Sequence, residues 1–214
     1  MSIEPGQWLG DTMTQPELPK LAAQLSKSLL DGIDWHLALD SVGVGQTALA
    51  LMRQFRRLID YRFERKVVTL LVDVSTLSAG ERAGLIERLE RDTRFGERAG
   101  ERLLEWLSRL DGPRKVHLLA AALAMYARCE ITDDQLRRLA NAIERFLLCD
   151  ADALKPFCAA GAEPRPTDGD PATVNILNSG LGYVESGYGA GGVRPTETAG
   201  LFLRILDAQR VAGS

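Results

Sequence analysis

The sequence predicts a mainly α-helical protein: a multi-helix bundle followed by a small winged-helix-like helix–hairpin–helix module at the C-terminus. Three observations carry this. Apolar residues recur at helical spacing over most of residues 21–159. Aromatic residues make up only 6% of the chain, so the core is expected to be aliphatic. Glycine gathers late, with seven of its twenty copies between Asn175 and Gly200. At 214 residues the chain is long enough to bury a sizeable core.

The elements follow in order. Residues 1–20 carry Pro5, Pro16 and Pro19 and read as a flexible arm. Leu21, Leu25, Leu29 and Leu30 then fall on one helical face before Gly32 interrupts. A long helix is expected from Thr47 towards Ser75, striped by Leu49, Met52, Leu58 and Ile59 and then by Val67, Leu70, Leu71 and Val74. Two capping boxes write helix starts plainly, Ser78-x-x-Glu81 and Thr132-x-x-Gln135. In each, a hydroxyl and the side chain three residues on satisfy backbone N–H groups reciprocally. At an offset of 54 residues Leu77 pairs with Ile131, Leu85 with Leu139 and Leu89 with Ile143. That register suits either an internal duplication or two independent uses of the same capping grammar.

Between the two boxes, Leu103, Leu104, Leu107 and Leu110 stripe one helix. Asp111-Gly112-Pro113 ends it and starts the next, with Asp111 as the expected cap and Pro113 in the first turn. Val116–Ala127 is apolar on nearly every side, the pattern of a helix enclosed by its neighbours. Residues 160–171 hold three prolines and read as a linker. Beyond it, a short helix, a hairpin with arms "LGYVES" and "GGVRPT", and a last helix capped by Thr196 complete the module. The domains expected are thus an arm (1–20), a helical bundle (21–159), a linker (160–171) and the winged module (172–214).

Several chemistries find little support. The net charge of −3 offers no global attraction to a polyanion. Cys129, Cys149 and Cys158 show no CxxC spacing and read as reduced structural thiols, while His36 and His117 lie at no metal-ligand spacing. Gly187-x-Gly189-x-x-Gly192 matches a dinucleotide fingerprint as a string, but no buried strand precedes it and Arg194-Pro195 separates it from the next helix. Gly43-x-Gly45-x-x-Ala48 fails for want of a β-branched strand before it. The helix "ATVNILNS" carries no Lys or Arg, as a groove-reading helix would. Glu81 to Arg102, where acids and arginines alternate, reads as a solvated face laced with i,i+4 pairs, Arg82, Arg88 and Arg102 included. No catalytic, metal or cofactor site is predicted. The start of the chain lacks the basic head and apolar core of a signal peptide, and no apolar run reaches the roughly 20 residues of a membrane span.

The exception is Arg53–Lys66, with six basic residues against two acidic and Phe55, Tyr61 and Phe63 interleaved. Arg53, Arg56, Arg57, Arg62, Arg65 and Lys66 form the candidate anion- or partner-binding set. They suit an anionic membrane surface or a nucleic-acid backbone, or they pair with the N-terminal 40 residues, which hold six acids and two lysines.

"IDYRFERKVVTLLVDVSTLSAGERAGLIERLERD", "GERLLEWLSRLDGPRKVHLLAAALAMYARCEITDDQLRRLANAIERF" and "LNSGLGYVESG" followed by "TETAG" together resemble a widespread set of small uncharacterised bacterial helical proteins with a winged C-terminus. "ARCEITDDQ" is also similar to an acidic loop of tellurite-resistance-B-like helical domains, with Arg128 and Cys129 where that family has Asp-Gly. These resemblances imply a bacterial protein, raise an antiviral-defence or toxin-type role, and carry over no catalytic residue. The function expected is a cytoplasmic, non-enzymatic protein that binds another protein. Two alternatives stay open. One is a membrane-active effector using apolar residues 39–52 with basic residues 53–66; the other is nucleic-acid binding through that basic helix. Homo-oligomerisation is compatible with each.

Overall fold

The computed structural model describes residues 4–31, 61–91, 98–159, 169–185 and 192–212. The chain divides into two compact units, residues 1–130 and 131–214. Among the described residues there are ten α-helices and a two-stranded antiparallel hairpin. The protein is a helical bundle with a C-terminal helix–hairpin–helix module, as its patterning predicts.

In the first unit the helices are α1 (Pro5–Thr14), α2 (Leu18–Asp31), α3 (Tyr61–Val74), α4 (Ala79–Arg91), α5 (Ala99–Arg109) and α6 (Pro113–Ala127). α3 packs along α6, and α1 crosses α5 and α4. The expected flexible arm is therefore corrected. Pro5 starts a helix at its first position, where a missing N–H costs nothing, and Trp8, Leu9 and Met13 are buried. The prolines punctuate two docked helices instead of loosening a tail.

The α1–α5 crossing depends on glycine. A Cβ on Gly6 would lie 2.6 Å from the Glu101 amide nitrogen, and one on Gly100 would lie 2.6 Å from the Gly6 carbonyl carbon. Backbone meets backbone there, so no side chain fits between. On α6, Val116, Leu119, Ala122 and Leu123 are fully buried, in keeping with its nearly all-apolar sequence. Its N-cap is Gly112, not the expected Asp111, whose carboxylate instead meets the buried Lys115 ammonium at 3.1 Å.

Both capping boxes form. The Ser78 hydroxyl accepts from the Glu81 N–H at 3.2 Å, while the Glu81 carboxylate accepts from the Ser78 N–H at 2.8 Å. The Ser78 backbone N–H first, then Arg128, holds the Glu81 carboxyl down to about 2. At α7 the Thr132 hydroxyl and the Gln135 side chain make the same reciprocal pair.

The second unit comprises α7 (Asp133–Arg145), a 3-10 turn (Leu148–Asp150), α8 (Ala151–Ala159), α9 (Pro171–Asn178), β1 (Gly182–Glu185), β2 (Gly192–Pro195) and α10 (Glu197–Ala212). α4 and α7 share boundaries at the 54-residue offset read from the sequence. β1 and β2 pair antiparallel, with Tyr183 opposite Arg194 and Val184 opposite Val193. Here the expected domain boundaries need correction: α7 and α8 belong with the hairpin module and not with the bundle. Phe146, just past α7, meets Phe202 of α10 edge-to-face at 5.2 Å, and Phe157 of α8 lies under Gly182 of β1. Residues 160–168, most of the expected linker, lie outside the described residues. The linker's last two residues instead start a helix, Asp170 as cap and Pro171 in the first position.

Two substitutions test this packing. Gly100→Ala is expected to destabilise by about 1–3 kcal/mol because α1 must move off α5. Gly80→Ala, where a Cβ meets nothing within 4 Å, is expected to be neutral or to gain up to about 1 kcal/mol. Urea unfolding of the two variants beside the wild type checks this. A second test uses the end of α6, where Cys129 holds φ at 60° and the Glu130 N–H reaches back to the Met125 carbonyl. A left-handed non-glycine residue costs about 1–2 kcal/mol, so Cys129→Gly is expected to raise the unfolding midpoint.

Candidate functional site

Arg53, Arg56 and Arg57, apolar residues 39–52, His36 and the glycine strings at 43–48 and 187–191 lie outside the described residues. The remainder of the basic set sits on the first turns of α3, where Arg62 and Arg65 are exposed. Lys66 is engaged otherwise. Its ammonium donates to the carbonyls of Leu107, at 3.1 Å, and Leu110, at the end of α5. Of the three described members of the set, Lys66 thus fastens a helix end while Arg62 and Arg65 are exposed.

The alternating acid–arginine stretch also departs from a uniformly solvated face. Arg82 is 1% exposed, and its guanidinium donates to the carbonyls of Met13 and Gln15, both at 2.9 Å, and of Leu77. Arg102 is buried as well. Arg88 donates to the Tyr126 carbonyl and stacks on the Tyr126 ring at 3.8 Å. Arg91–Glu87 is the exposed i,i+4 pair that the spacing predicts. Simple alternation could not separate these cases, because the partners of Arg82 lie 67 and 69 residues upstream.

His117, spaced from any cysteine or acid in sequence, is not isolated in the fold. Its Nδ1 lies 2.6 Å from the Asp73 carboxylate across the α3–α6 contact. The hydrogen bond to Asp73 raises the imidazole above its ordinary value, against a smaller opposing effect of burial. Cys129 and Cys149 are exposed thiols and Cys158 is half-buried, so the first two do not serve the core. Burial pushes the Cys158 thiol up. Among the described residues no group of three or more His, Cys, Asp or Glu could hold a metal ion, and no helix is long and apolar enough to cross a membrane.

The surface feature that stands out lies in the second unit. Among the described residues, the large apolar side chains left exposed are Leu147 (55%), Val174 (44%), Tyr183 (48%) and Val184 (56%). They are joined through Asn175 on α9. Its carbonyl accepts from the Leu147 N–H at 3.0 Å, and its amide donates to the Leu147 carbonyl at 3.2 Å and the Asp150 carboxylate at 2.8 Å. That clamp sets Leu147 beside α9, Val174 sits on α9, and α9 packs against β1, which carries Tyr183 and Val184.

Comparison with protein-family models, with curated proteins and with solved structures finds no match for this chain.

The His117–Asp73 pair makes a pH-dependent contribution whose sign is determined. A raised folded-state pKa means the contribution is complete below the ordinary value of 6.5 and is lost as pH rises through the raised one. The stability difference between the wild type and His117→Gln should shrink over that interval, and Asp73→Asn should remove the dependence. Denaturant midpoints measured from roughly pH 5 to roughly pH 9 check this, and a constant difference would contradict it.

Proposed function

We propose that this chain works by binding another protein through its second unit, and not as an enzyme. The observation that carries the reading is the collection of Leu147, Val174, Tyr183 and Val184 as exposed apolar side chains within residues 147–184. Single exposed apolar residues are ordinary; four within residues 147–184, with a tyrosine among them, favour a partner-binding region. Charge supports the same surface. Residues 167–214 hold three arginines against five acids, which disfavours a nucleic-acid backbone there and leaves apolar contact as the source of affinity. The resemblance to small bacterial helical proteins accords with a cytoplasmic interaction module, in a defence or toxin-type system among other settings.

Photo-cross-linking tests this. A photoreactive residue in place of Val184 is expected to give one discrete adduct with a different protein. Tyr183→Glu or Leu147→Glu should cut its yield about tenfold or more. The same residue in place of Glu87, 63% exposed on the first unit, should not give that adduct. Equal adducts from both positions, or an adduct of twice the chain's own mass, would overturn the reading. Binding of anionic phospholipid vesicles or duplex DNA that disappears in Arg62→Glu/Arg65→Glu would favour the membrane or nucleic-acid alternative instead.

A further inference from the structure

We propose that the second unit also carries a site for a phosphate-bearing small molecule, in the cleft between α7 and the start of α10. This does not rest on the protein-binding reading above. One wall is the exposed face of α7, where Arg138, Asn141 and Arg145 stand at i, i+3 and i+7. The other is built from the end of α9 with its following turn, where Asn178 and Gly180 lie, and from Thr196 and Thr198 at the start of α10. The cleft measures about 360 Å³, within the range of small-molecule sites.

Its chemistry points to one class of ligand. Two guanidinium groups, two carboxamides and three hydroxyls line it, and among the described lining residues there is no carboxylate. Two acids near by are already engaged, one of them with a cleft arginine. Glu197 accepts from the Gln135 amide at 2.6 Å, and Asp134 lies 3.1 Å from Arg138 in a pair whose two side chains are 67% and 69% exposed. Water screens such a pair heavily, so Arg138 can exchange Asp134 for a ligand. Arg145 makes no ion pair with a described residue, and the carbonyl just past its helix is already satisfied by Asn175. The two arginines are about 10 Å apart along the helix axis, with Asn141 between, a span that long guanidinium side chains close onto one group.

On the far wall two of the three hydroxyls are already committed as donors, the Ser179 hydroxyl to the Ile176 carbonyl at 3.0 Å and that of Thr196 to Gly180. Thr196 caps α10, its hydroxyl accepting from the Ala199 N–H at 3.3 Å and donating to the Gly180 carbonyl at 3.1 Å. The positive end of a helix of 16 residues thus borders the cleft. Thr198, one residue into that helix, is 7% exposed, yet its hydroxyl makes no hydrogen bond to a described residue. That hydroxyl is free to donate into the cleft it lines. Gly180, at φ 75°, turns the chain from α9 into β1 without a side chain to fill the floor. A phosphate ester, doubly charged with three acceptor oxygens, matches this donor set better than a single carboxylate does.

The test titrates pyrophosphate into the full chain at constant ionic strength, followed by calorimetry and by amide chemical shifts of Asn141, Asn178 and Thr198. Saturable binding with shifts at those residues is expected. Arg145→Gln should weaken it at least tenfold and Thr198→Val several-fold, while Arg91→Gln, at an exposed arginine on the first unit, leaves it unchanged. No binding beyond an equal ionic strength of sodium chloride would overturn the proposal. So would tighter binding of citrate than of pyrophosphate, or equal losses in Arg145→Gln and Arg91→Gln.

Discussion

Short helices have many ends, and each C-terminal end leaves up to four backbone carbonyls without an intrahelical donor. In this protein those carbonyls determine where the long polar side chains go. Arg82 takes the Met13 and Gln15 carbonyls at the end of α1 and the Leu77 carbonyl beyond α3. Lys66 takes Leu107 and Leu110 at the end of α5, Arg88 takes Tyr126 at the end of α6, and Asn175 takes Leu147 beyond α7. A hydrogen bond from a charged donor contributes about 1.5–3 kcal/mol, against about 0–1 kcal/mol for an exposed ion pair such as Arg91–Glu87. The fastened cations therefore outweigh the visible surface pairs in holding the helices together. A cation at a helix C-terminus gains further from the helix dipole.

That division also separates structural from available charge. In the first unit Lys66, Arg82 and Arg88 are committed to carbonyls, so a run of basic letters overstates the charge that a partner would meet. In the second unit an uncharged amide does the same work at the end of α7. Arg138 and Arg145 are consequently left on a surface with donors around them. Equivalent residue types thus have opposite fates according to whether an unsatisfied carbonyl lies within reach.

What was legible in the sequence was local. Both capping boxes, the enclosed helix around Leu123, the hairpin arms and Thr196 as a cap depend on partners within a few residues, and spacing alone reveals them. What was illegible depended on distant partners. Asp73 meets His117 across 44 residues, and Lys66 reaches the end of α5 from 41 and 44 residues away. The docking of α1 was hidden for a related reason. Gly6 and Gly100 look like interruptions in sequence, but their missing side chains are what allow two backbones to touch. The unit boundary was misplaced because prolines mark flexible chain, whereas contacts such as Phe146 with Phe202 decide which elements share a core. Of the basic candidate set, the described part yields two exposed arginines and one structural lysine, a distinction that only the position of the α5 carbonyls supplies.

The hairpin shows which surface features folding does not require. Two strands of four residues are marginal alone, so β1 and β2 persist because Val193 is buried and Gly182 admits Phe157, Ile176 and Val193 close to its backbone. Val184 stands directly opposite Val193 in the register, yet is 56% exposed where Val193 is 1% exposed. One member of the pair anchors the strand to the core, and the other adds apolar area to water without strengthening that anchor. Tyr183 alternates to the opposite side of the same strand and is also exposed. Apolar side chains on both sides of a four-residue strand contribute nothing to burial and raise the risk of association. Stability within the unit therefore gives no account of them.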